Sequence, residues 1–383
     1  MRPVLPYGQG RSYGDSCLND GGTLLRTGGL DRFIALDVET GTLRCEAGVT
    51  LGEILDLVVP RGLFLPVLPG TRHVSVGGAI ANDIHGKNHH RAGSFGRHVC
   101  RIEILRSNGR FECTQGDPLL EATIGGLGLT GLVTWAEIAL RRVPGPAMRV
   151  ASIPFSGLDE FFDLSDESDP VCEYTVAWID ALRGRGIFFR GEHEEGEAPA
   201  PGSAWSVPFG FRVVNDLTIQ AFNEAYYAAQ KRGRGAKTVH YEKFFFPLDR
   251  VTNWNRLYGK QGFLQFQCVV PTQKALRAVL AEAPASPLTV LKKFGDLQSP
   301  GMLSFPRAGY TLALDLPNRG TETNTVFMRL ERTAMEAGGA LYPAKDARMS
   351  RLSFARSFPR LEQFQRFVDP AFSSSFWRRV APK

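Results

Sequence analysis

The chain has no uninterrupted apolar run near the ~18 residues that a membrane-spanning helix requires. It also lacks a basic N-terminal segment followed by an apolar stretch, so a secretory signal is not indicated. Its 6 cysteines form no CxxC pair and have no regular spacing, which argues against both a zinc site and a disulfide framework. We therefore expect a cytoplasmic protein in a reducing compartment.

Blocks of roughly five or six like charges are absent as well. Lys and Arg total 45 against 39 Asp and Glu, a formal net charge of +6, but the basic residues are spread along the whole chain. This spread argues against a nucleic-acid partner. The modest excess still suits a phosphate-bearing substrate or cofactor, or a loose peripheral association with an anionic membrane surface.

The length of 383 residues exceeds the roughly 250 to 300 at which single cores stop growing, so more than one domain is expected. The sequence Pro144-Gly145-Pro146 can continue neither a helix nor a central strand and predicts a boundary. Short strand-like runs and glycine turns before it indicate an α+β domain. Aromatic-rich strands with interspersed helices follow it.

Local patterns predict individual elements. Thr50 and Glu53 form a capping box at the start of a helix over 50–60. Further helices are predicted over 118–123, 325–337 and 360–367, and strands over 24–26, 43–47, 102–105, 111–114, 132–140, 177–180, 263–270 and 310–316. The Glu-, Pro- and Gly-containing stretch 191–203 is predicted to be a mobile surface loop.

Two glycine-rich runs carry the main chemical signal. The first, GQGRSYGD at 8–15, can direct several backbone N–H groups at a phosphate, although alone it is equally well an ordinary turn. The second, 69–86, adds Thr71, Ser75 and Asn82 as donors beside a channel for a flat ring. Two such loops in one domain indicate a dinucleotide.

A third glycine run, 125–131, contains the pattern GxGxxG, which by itself suggests a Rossmann fold. That fingerprint requires a helix directly after it, whereas residues 132–140 have the composition of a strand. We therefore expect no Rossmann fold and assign these glycines to a close passage of the backbone beside a cofactor.

A group of histidines, His85, His89, His90 and His98, follows the second glycine run. His85 and His89 have the i, i+4 separation of a metal pair on a helix, but the surrounding glycines disfavour a helix and no Asp, Glu or Cys completes a site. No metal is expected.

The strings GRSYGD, PGTRHVSVGGAIANDIHGKNHHRAGSFG and GGLGLTG match, in order and spacing, the PCMH-type FAD-binding domain of the vanillyl-alcohol oxidase superfamily. Within it the chain resembles the decaprenylphosphoryl-ribose 2'-oxidase family, whose signature IHGKNHH is intact at 84–90. GFLQFQ, LKKFG and LYPAKDAR extend the resemblance over nearly the whole chain.

The resemblance implies a FAD-binding domain over 1–145 that is completed by 341–383, with an antiparallel-sheet substrate domain over 146–340 inserted between them. FAD would be held without a covalent bond. Relatives have a strand-helix unit before the pyrophosphate loop, so an N-terminal unit is expected to be missing here, which would weaken FAD binding.

The resemblance also implies a reaction: the hydrogen on C2 of the sugar passes as hydride to flavin N5 while the hydroxyl loses a proton, leaving a ketone. A short-chain reductase partner then returns hydride from the other face, which epimerises ribose to arabinose on a polyprenyl-phosphate carrier of the cell wall. Two alternatives stay open: a sugar-alcohol or D-arabinono-1,4-lactone oxidase-like enzyme that uses oxygen, and a shortened, non-catalytic paralogue.

The residues that the resemblance assigns to FAD are Gly8, Gly10, Arg11, Ser12, Tyr13, Gly14, Gly70, Thr71, Ser75, Val76, Gly77, Gly78, Asn82, Asp83, Ile84, His85, Gly131, Val133, Tyr342 and Lys345. Those assigned to catalysis are Lys345, His85, Gln267 and Lys292. Those assigned to the substrate are Lys87, Phe245, Gln265, Gln267, Lys292 and Ala313.

Two lysines have competing interpretations. Lys345 would stabilise negative charge on the reduced flavin near N1 and the C2 carbonyl, whereas without the resemblance it would be a surface lysine paired with Asp346. Lys292 could instead anchor a phosphate. Ala313 and Phe245 stand where actinobacterial relatives have a cysteine and, nearby, a tyrosine, so we expect a less polar pocket and no covalent trapping by thiol-directed inhibitors.

Overall fold

A computed structural model of the chain describes residues 2–199, 202, 204–207 and 214–382. Within these residues the strands are, in chain order, β1 (Val4–Tyr7), β2 (Thr23–Arg26), β3 (Phe33–Asp37), β4 (Thr42–Glu46), β5 (Leu63–Phe64), β6 (Val99–Arg106), β7 (Gly109–Thr114), β8 (Leu132–Ala139), β9 (Arg141–Arg142), β10 (Ala147–Phe155), β11 (Tyr174–Ile179), β12 (Gly186–His193), β13 (Trp205–Ser206), β14 (Gly235–His240), β15 (Val251–Thr252), β16 (Phe263–Val270), β17 (Thr289–Phe294), β18 (Gly309–Pro317) and β19 (Ala340–Leu341).

The α-helices of the same residues are α1 (Leu51–Val58), α2 (Val76–Ala81), α3 (His89–Ala92), α4 (Pro118–Thr123), α5 (Leu158–Ser168), α6 (Asp216–Arg232), α7 (Tyr241–Phe245), α8 (Gln273–Ala281), α9 (Thr321–Glu336), α10 (Arg351–Ser357), α11 (Leu361–Gln365) and α12 (Ser375–Val380). No helix in this described part is long and apolar enough to cross a membrane.

A five-stranded sheet of order β3-β4-β8-β6-β7 is antiparallel throughout. Its buried side chains, among them Leu43, Ile102 and Ile138, form one core together with the apolar face of α1. That helix starts at a reciprocal cap, in which Thr50 Oγ1 accepts from the Glu53 amide at 3.2 Å and Glu53 Oε2 accepts from the Thr50 amide at 2.8 Å.

A second sheet has eight strands in the order β14-β10-β12-β11-β17-β18-β16-β19, with antiparallel neighbours. Successive side chains of a strand point to opposite faces. One face packs against α5, α8 and α9 through buried residues such as Leu291, Leu312 and Leu314. The other face carries the alternate residues and borders a large cavity.

The two ends of the described chain meet. The Val4 amide donates to the Ala371 carbonyl at 2.8 Å, and the Tyr13 amide donates to the Ala344 carbonyl at 2.8 Å. Arg379 pairs with Asp15 at 2.7 Å and with Asp346 at 3.0 Å. The first glycine loop is therefore held against the segment that carries Lys345.

Several element predictions are confirmed. The capping box of α1 forms, α4 spans 118–123 as predicted, and the GxGxxG run leads into β8 and not into a helix. Residues 174–179 and 361–365 form the expected strand and helix within slightly different bounds.

Three element predictions are corrected. Helix α9 begins at Thr321 and not at 325, because its first turn is polar and leaves no apolar repeat to detect. Residues 191–193 belong to β12, paired with β10, and not to a loop; positions 200, 201 and 203 of that predicted loop lie outside the described residues. A short helix begins at His89 despite the neighbouring glycines, but His85 is not part of it.

Candidate active site

A cavity of about 1550 Å³ opens beside both glycine loops and the eight-stranded sheet. Residues from β16, β17 and β18 form its floor, and the segment 342–345 closes one side. Nearly all of the predicted site residues line it, although they come from segments far apart in the chain. This gathering of polar side chains in one concave space makes it the candidate active site.

The first glycine loop supplies free backbone donors to this cavity. Within the described residues, the amides of 8–12 donate to no protein acceptor, and these residues all line the cavity. Gly10 has φ +60, and a Cβ there would lie 2.1 Å from the Tyr7 hydroxyl; a Cβ on Gly8 would lie 2.3 Å from Ser75 Oγ. Unpaired amides in a loop whose two glycines, Gly8 and Gly10, have no room for a side chain fit a pyrophosphate.

The second glycine loop offers fewer donors than its sequence suggests. Ser75 Oγ accepts from the Gly78 amide at 3.3 Å and caps α2. The amides of Val76 and Gly77 donate to the carbonyls of Val49 and Ala47, each at 2.8 Å. Gly70 and Thr71 also line the cavity, and among the described residues their amides donate to no backbone carbonyl. Nothing lies within 4 Å of a Cβ built on Gly70.

Three of the predicted cofactor residues lie behind the cavity wall: Gly14, Val76 and Asp83. Asp83 is fully buried at φ +40 and accepts from the Gly96 amide at 2.8 Å and from the hydroxyls of Ser299 and Ser304. Burial raises the pKa of this carboxyl. Asp83 thus holds this part of the backbone in place. The carbonyl of the preceding residue, Asn82, accepts from the Tyr342 hydroxyl at 3.0 Å.

His85 is the centre of a buried polar cluster. Its Nε2 lies 2.9 Å from the side-chain nitrogen of Gln267, and its Nδ1 lies 3.4 Å from Lys292 Nζ. The Gln267 amide also donates to Thr311 Oγ1 at 3.1 Å. Burial, reinforced by the charge of Lys292, lowers the pKa of His85 well below its usual range, so the ring stays neutral. Both of its nitrogens already have partners.

Three lysine side chains, those of Lys87, Lys292 and Lys345, line the cavity. Burial, with the charge of Lys345 second, lowers the pKa of Lys292 to about 7. Burial, with the charge of Lys292 second, lowers the pKa of Lys87 to about 7. Lys87 donates to the carbonyls of Phe244 at 2.7 Å and Phe245 at 3.0 Å, whereas Lys292 donates to the Gly86 carbonyl at 3.2 Å.

Lys345 is not paired with the residue that follows it. Its Nζ lies 4.0 Å from the centre of the Tyr13 ring, while Asp346 pairs with Arg379. Burial lowers the pKa of Lys345 to about 8, against the opposing charge of Asp315. Asp315 accepts from the Gln265 amide, and burial raises the pKa of its carboxyl to about 6.

Two neighbours in this site, Thr311 and Asp315, were missed by sequence reasoning. They flank Ala313 on β18 at two-residue spacing and therefore share its face. The alternation of a strand that was already predicted could have found them. Trp178 and Val290 also line the cavity, but their position depends on the strand order of the sheet, which no local pattern shows.

Gly14→Ala should disturb the site although Gly14 does not line the cavity. A Cβ there would lie 1.5 Å from the Asp346 carbonyl oxygen, so the loop and the Lys345 segment must separate. We expect the free energy of unfolding to fall by about 1–3 kcal/mol and FAD affinity by about tenfold or more. Denaturant unfolding and a fluorescence titration with FAD measure the two.

Gly28→Ala is the matched control, because nothing lies within 4 Å of its Cβ position and its φ is not positive. If Gly14→Ala bound FAD as tightly as Gly28→Ala does, the contact with Asp346 would have no importance for the cofactor loop.

Comparison with known proteins bears directly on this site. The sequence profile described as FAD binding domain matches residues 1–114. The decaprenylphosphoryl-beta-D-ribose oxidase of Mycolicibacterium smegmatis is 36% identical, over 99% of this chain and 89% of its own length. The chain belongs to the decaprenylphosphoryl-ribose oxidase family. It is therefore an FAD-dependent oxidoreductase, and the resemblance read from the sequence is confirmed.

Two further relatives are uncharacterized or more distant. An uncharacterized protein of Streptomyces coelicolor is 32% identical over 87% of this chain and 100% of its own length. An alditol oxidase of a Streptomyces species is 28% identical over 36% of this chain and 34% of its own length. The mixed α and β structure with antiparallel sheets agrees with a PCMH-type fold.

Proposed function

We propose that the protein oxidises the 2'-hydroxyl of a polyprenylphosphoryl pentose to a ketone, with FAD bound non-covalently. The observation that carries this proposal is the convergence of Gln267, His85 and Lys292 on one cavity that also receives Lys345 and the free amides of the first glycine loop. These groups can bind hydroxyls, accept a proton and stabilise negative charge, which are the needs of alcohol oxidation.

FAD would be held by the amides of 8–12, by Thr71 and by Tyr342 and Lys345. When bound, it supplies the acceptor for the hydrogen and two electrons that leave the sugar carbon. A covalent link through His85 is disfavoured, because its two ring nitrogens face Gln267 and Lys292. The chemistry that remains for the chain is to position the alcohol and to remove its proton.

Lys292 is the proposed proton acceptor. Its amine lines the cavity, and His85 Nδ1 and the Gly86 carbonyl fix its position. His85, neutral and surrounded by Phe294, Phe305 and Tyr342, acts as a positioning residue. The proton leaves the hydroxyl for Lys292 Nζ as the C–H bond breaks.

Gln265 is proposed to accept a hydrogen bond from a sugar hydroxyl. Its amide nitrogen donates to Asp315, but its carbonyl oxygen is buried and has no partner in the described part of the chain. A buried acceptor without a donor is costly, and a sugar hydroxyl in the cavity would supply that donor. Gln267 lies two residues along the same strand face.

A ketone product is consumed by a reductase, so we propose a short-chain reductase partner and an epimerisation overall. We assign the sugar to residues 146–340, and we propose that the FAD-binding part combines 1–145 with 341–383. The +6 net charge supports a peripheral association with an anionic membrane, where a polyprenyl carrier resides.

The test is anaerobic bleaching of the flavin absorbance in the FAD-loaded protein. A ribose linked through phosphate to a prenyl chain should bleach it rapidly, whereas xylitol and arabinono-1,4-lactone should not. Rapid bleaching by the soluble compounds would assign the protein to sugar-alcohol or lactone oxidation instead. If the protein binds FAD but none of these compounds bleaches the flavin, the protein is a non-catalytic paralogue.

The dependence of kcat/KM on pH should be bell-shaped and narrow. Lys292 must be neutral to accept a proton, so the rate rises as pH rises through about 7. Lys345 must be charged to stabilise negative charge, so the rate falls as pH rises through about 8. Lys345→Arg keeps its charge and should remove the alkaline limb alone. A flat profile between pH 6 and 9 would contradict both assignments.

A further inference from the structure

Thr311 is a buried residue of β18 that lies between two strands of the proposed site. It is directly opposite Lys292 on β17, while Gln267 on β16 is opposite Ala313, two residues further along β18. Paired residues, and residues two apart in a strand, share a face of the sheet. The side chains of Gln267, Thr311 and Lys292 therefore lie on one face, and all three line the cavity.

The amide nitrogen of Gln267 has two neighbours that can accept a hydrogen bond. It lies 3.1 Å from Thr311 Oγ1 and 2.9 Å from His85 Nε2. A primary amide carries two hydrogens on its nitrogen and none on its oxygen. Both hydrogens are therefore used within the protein, and His85 Nε2 accepts one of them.

The neighbouring Gln265 has the same orientation. Its amide nitrogen donates to Asp315, the residue of β18 directly opposite. Burial raises the pKa of that carboxyl to about 6, so it is ionised at neutral pH and can only accept hydrogen bonds. The nitrogen of this amide must face it. Each glutamine thus directs its nitrogen at a residue of β18, and its carbonyl oxygen remains for a ligand.

The hydrogen bond at Nε2 decides the tautomer of His85. The ring is neutral, because burial lowers its pKa well below the usual range. A neutral imidazole carries one hydrogen, and a ring nitrogen that accepts a hydrogen bond is the one without it. The hydrogen is therefore on Nδ1, which lies 3.4 Å from Lys292 Nζ. An N–H group directed at Lys292 suits a free amine, which can accept, and opposes an ammonium group, which cannot.

We propose that Thr311 is a positioning residue that fixes the tautomer of His85 by way of Gln267. Lys292 is thereby held as a free amine, the form that can take a proton from the substrate. The inference rests on the proposed function, because it concerns the same proton acceptor. The hydroxyl of Thr311 acts at a distance, through two intervening side chains, and contacts no reacting atom.

The tautomer is measured by ¹⁵N NMR of the FAD-loaded protein labelled at its histidines, in which correlations between ring nitrogens and ring hydrogens identify the protonated nitrogen. The His85 signal is the one that is lost in His85→Asn. We expect Nδ1–H in the parent. Thr311→Val has the same shape but no acceptor, so the Gln267 amide should turn over, because a buried N–H without a partner is costly. Nε2 of His85 then carries the hydrogen.

Two further variants separate the hydroxyl from the packing. Thr311→Ser keeps the hydroxyl and should keep Nδ1–H. Thr289→Val is the matched control, because Thr289 is a buried threonine of β17 that does not line the cavity and whose hydroxyl has no partner in the described part of the chain. It should leave the tautomer unchanged. Nε2–H in the parent, or Nδ1–H in Thr311→Val, would overturn the proposal.

Thr311→Val should also move the acidic limb of the kcat/KM profile. In the Nε2–H tautomer, Nδ1 of His85 can accept from the ammonium group of Lys292, which favours the charged form and raises the pKa of Lys292. The limb near 7 should therefore move to higher pH by about half a unit to one unit. Three other titratable groups act on Lys292, and none is a carboxylate: His89, Lys87 and Lys345. A lower rate with the limb in place would mean a structural role and would contradict the proposal.

The outcomes separate this inference from the reaction. If His85 carries Nδ1–H and Thr311→Val reverses it, but no sugar bleaches the flavin, the tautomer assignment stands and the proposed reaction fails. If a prenyl-linked ribose bleaches the flavin but His85 carries Nε2–H in the parent, the reaction stands and the positioning role of Thr311 fails.

Discussion

Lys345→Met is expected to slow the reduction of bound flavin by substrate by about 10²–10³-fold, the usual effect of removing one preorganised charge from a transition state. The lysine has no ion pair with Asp346, and its Nζ lies over the Tyr13 ring at the cavity wall. Its charge is therefore available to stabilise negative charge in the cavity. Stopped-flow absorbance of the FAD-loaded variant measures the rate constant directly.

The same variant should keep its fold. Burial disfavours the charged form of Lys345, so a neutral side chain of similar length costs little stability. Lys345→Arg should recover most of the rate. If Lys345→Met reduced flavin at the parental rate while Arg gave no advantage, the lysine would have no electrostatic role.

Lys292→Met is expected to reduce the same rate constant by about 10²–10⁴-fold, the range for loss of a positioned general base. The acidic limb of the pH profile near 7 should disappear with it, because no other group is assigned to accept the proton. A purely structural role for Lys292 would lower the rate equally at all pH values and leave that limb in place.

Lys293→Met is the matched control for this change. Lys293 is adjacent on β17 but points to the other face, where it pairs with Asp166 at 2.8 Å and Asp169 at 2.7 Å. It should retain the parental rate and pH profile. Loss of activity in Lys293→Met comparable to that in Lys292→Met would mean that the strand itself, and not the proton acceptor, had been damaged.

Local signals predicted the elements that depend on neighbouring residues. The capping box of Thr50 and Glu53 needs only three residues of separation, so the start of α1 followed directly from the sequence. The strand after the GxGxxG run was identified in the same way. The first turn of helix α9 was not predicted, because residues 321–325 are polar and carry no apolar repeat.

The chemical site depended on the family signature and not on local patterns. Gln267 and Lys292 lie 182 and 207 residues from His85 in the chain, so only tertiary register brings them together. Asp315 could have been predicted from the sequence, because it shares a strand face with Ala313. The contact between Trp178 and Val290 at the cavity wall could not have been predicted, since the order of strands decides that these two residues are neighbours.

The close packing of Gly14 on Asp346 is a further feature that local sequence patterns could not predict. A glycine signals conformational freedom or close approach, but not which atom approaches. The Asp346 carbonyl comes from the opposite end of the chain, and the structure alone identifies it as the atom that excludes a side chain at Gly14.

The joining of the two chain ends has a consequence for biosynthesis. The loop at 8–14 is synthesised long before Lys345 and before the Arg379 that bridges Asp15 and Asp346. Segments of a nascent chain can fold only after they have emerged. The part of the cavity wall that these ion pairs hold together therefore cannot form until Arg379 has emerged from the ribosome.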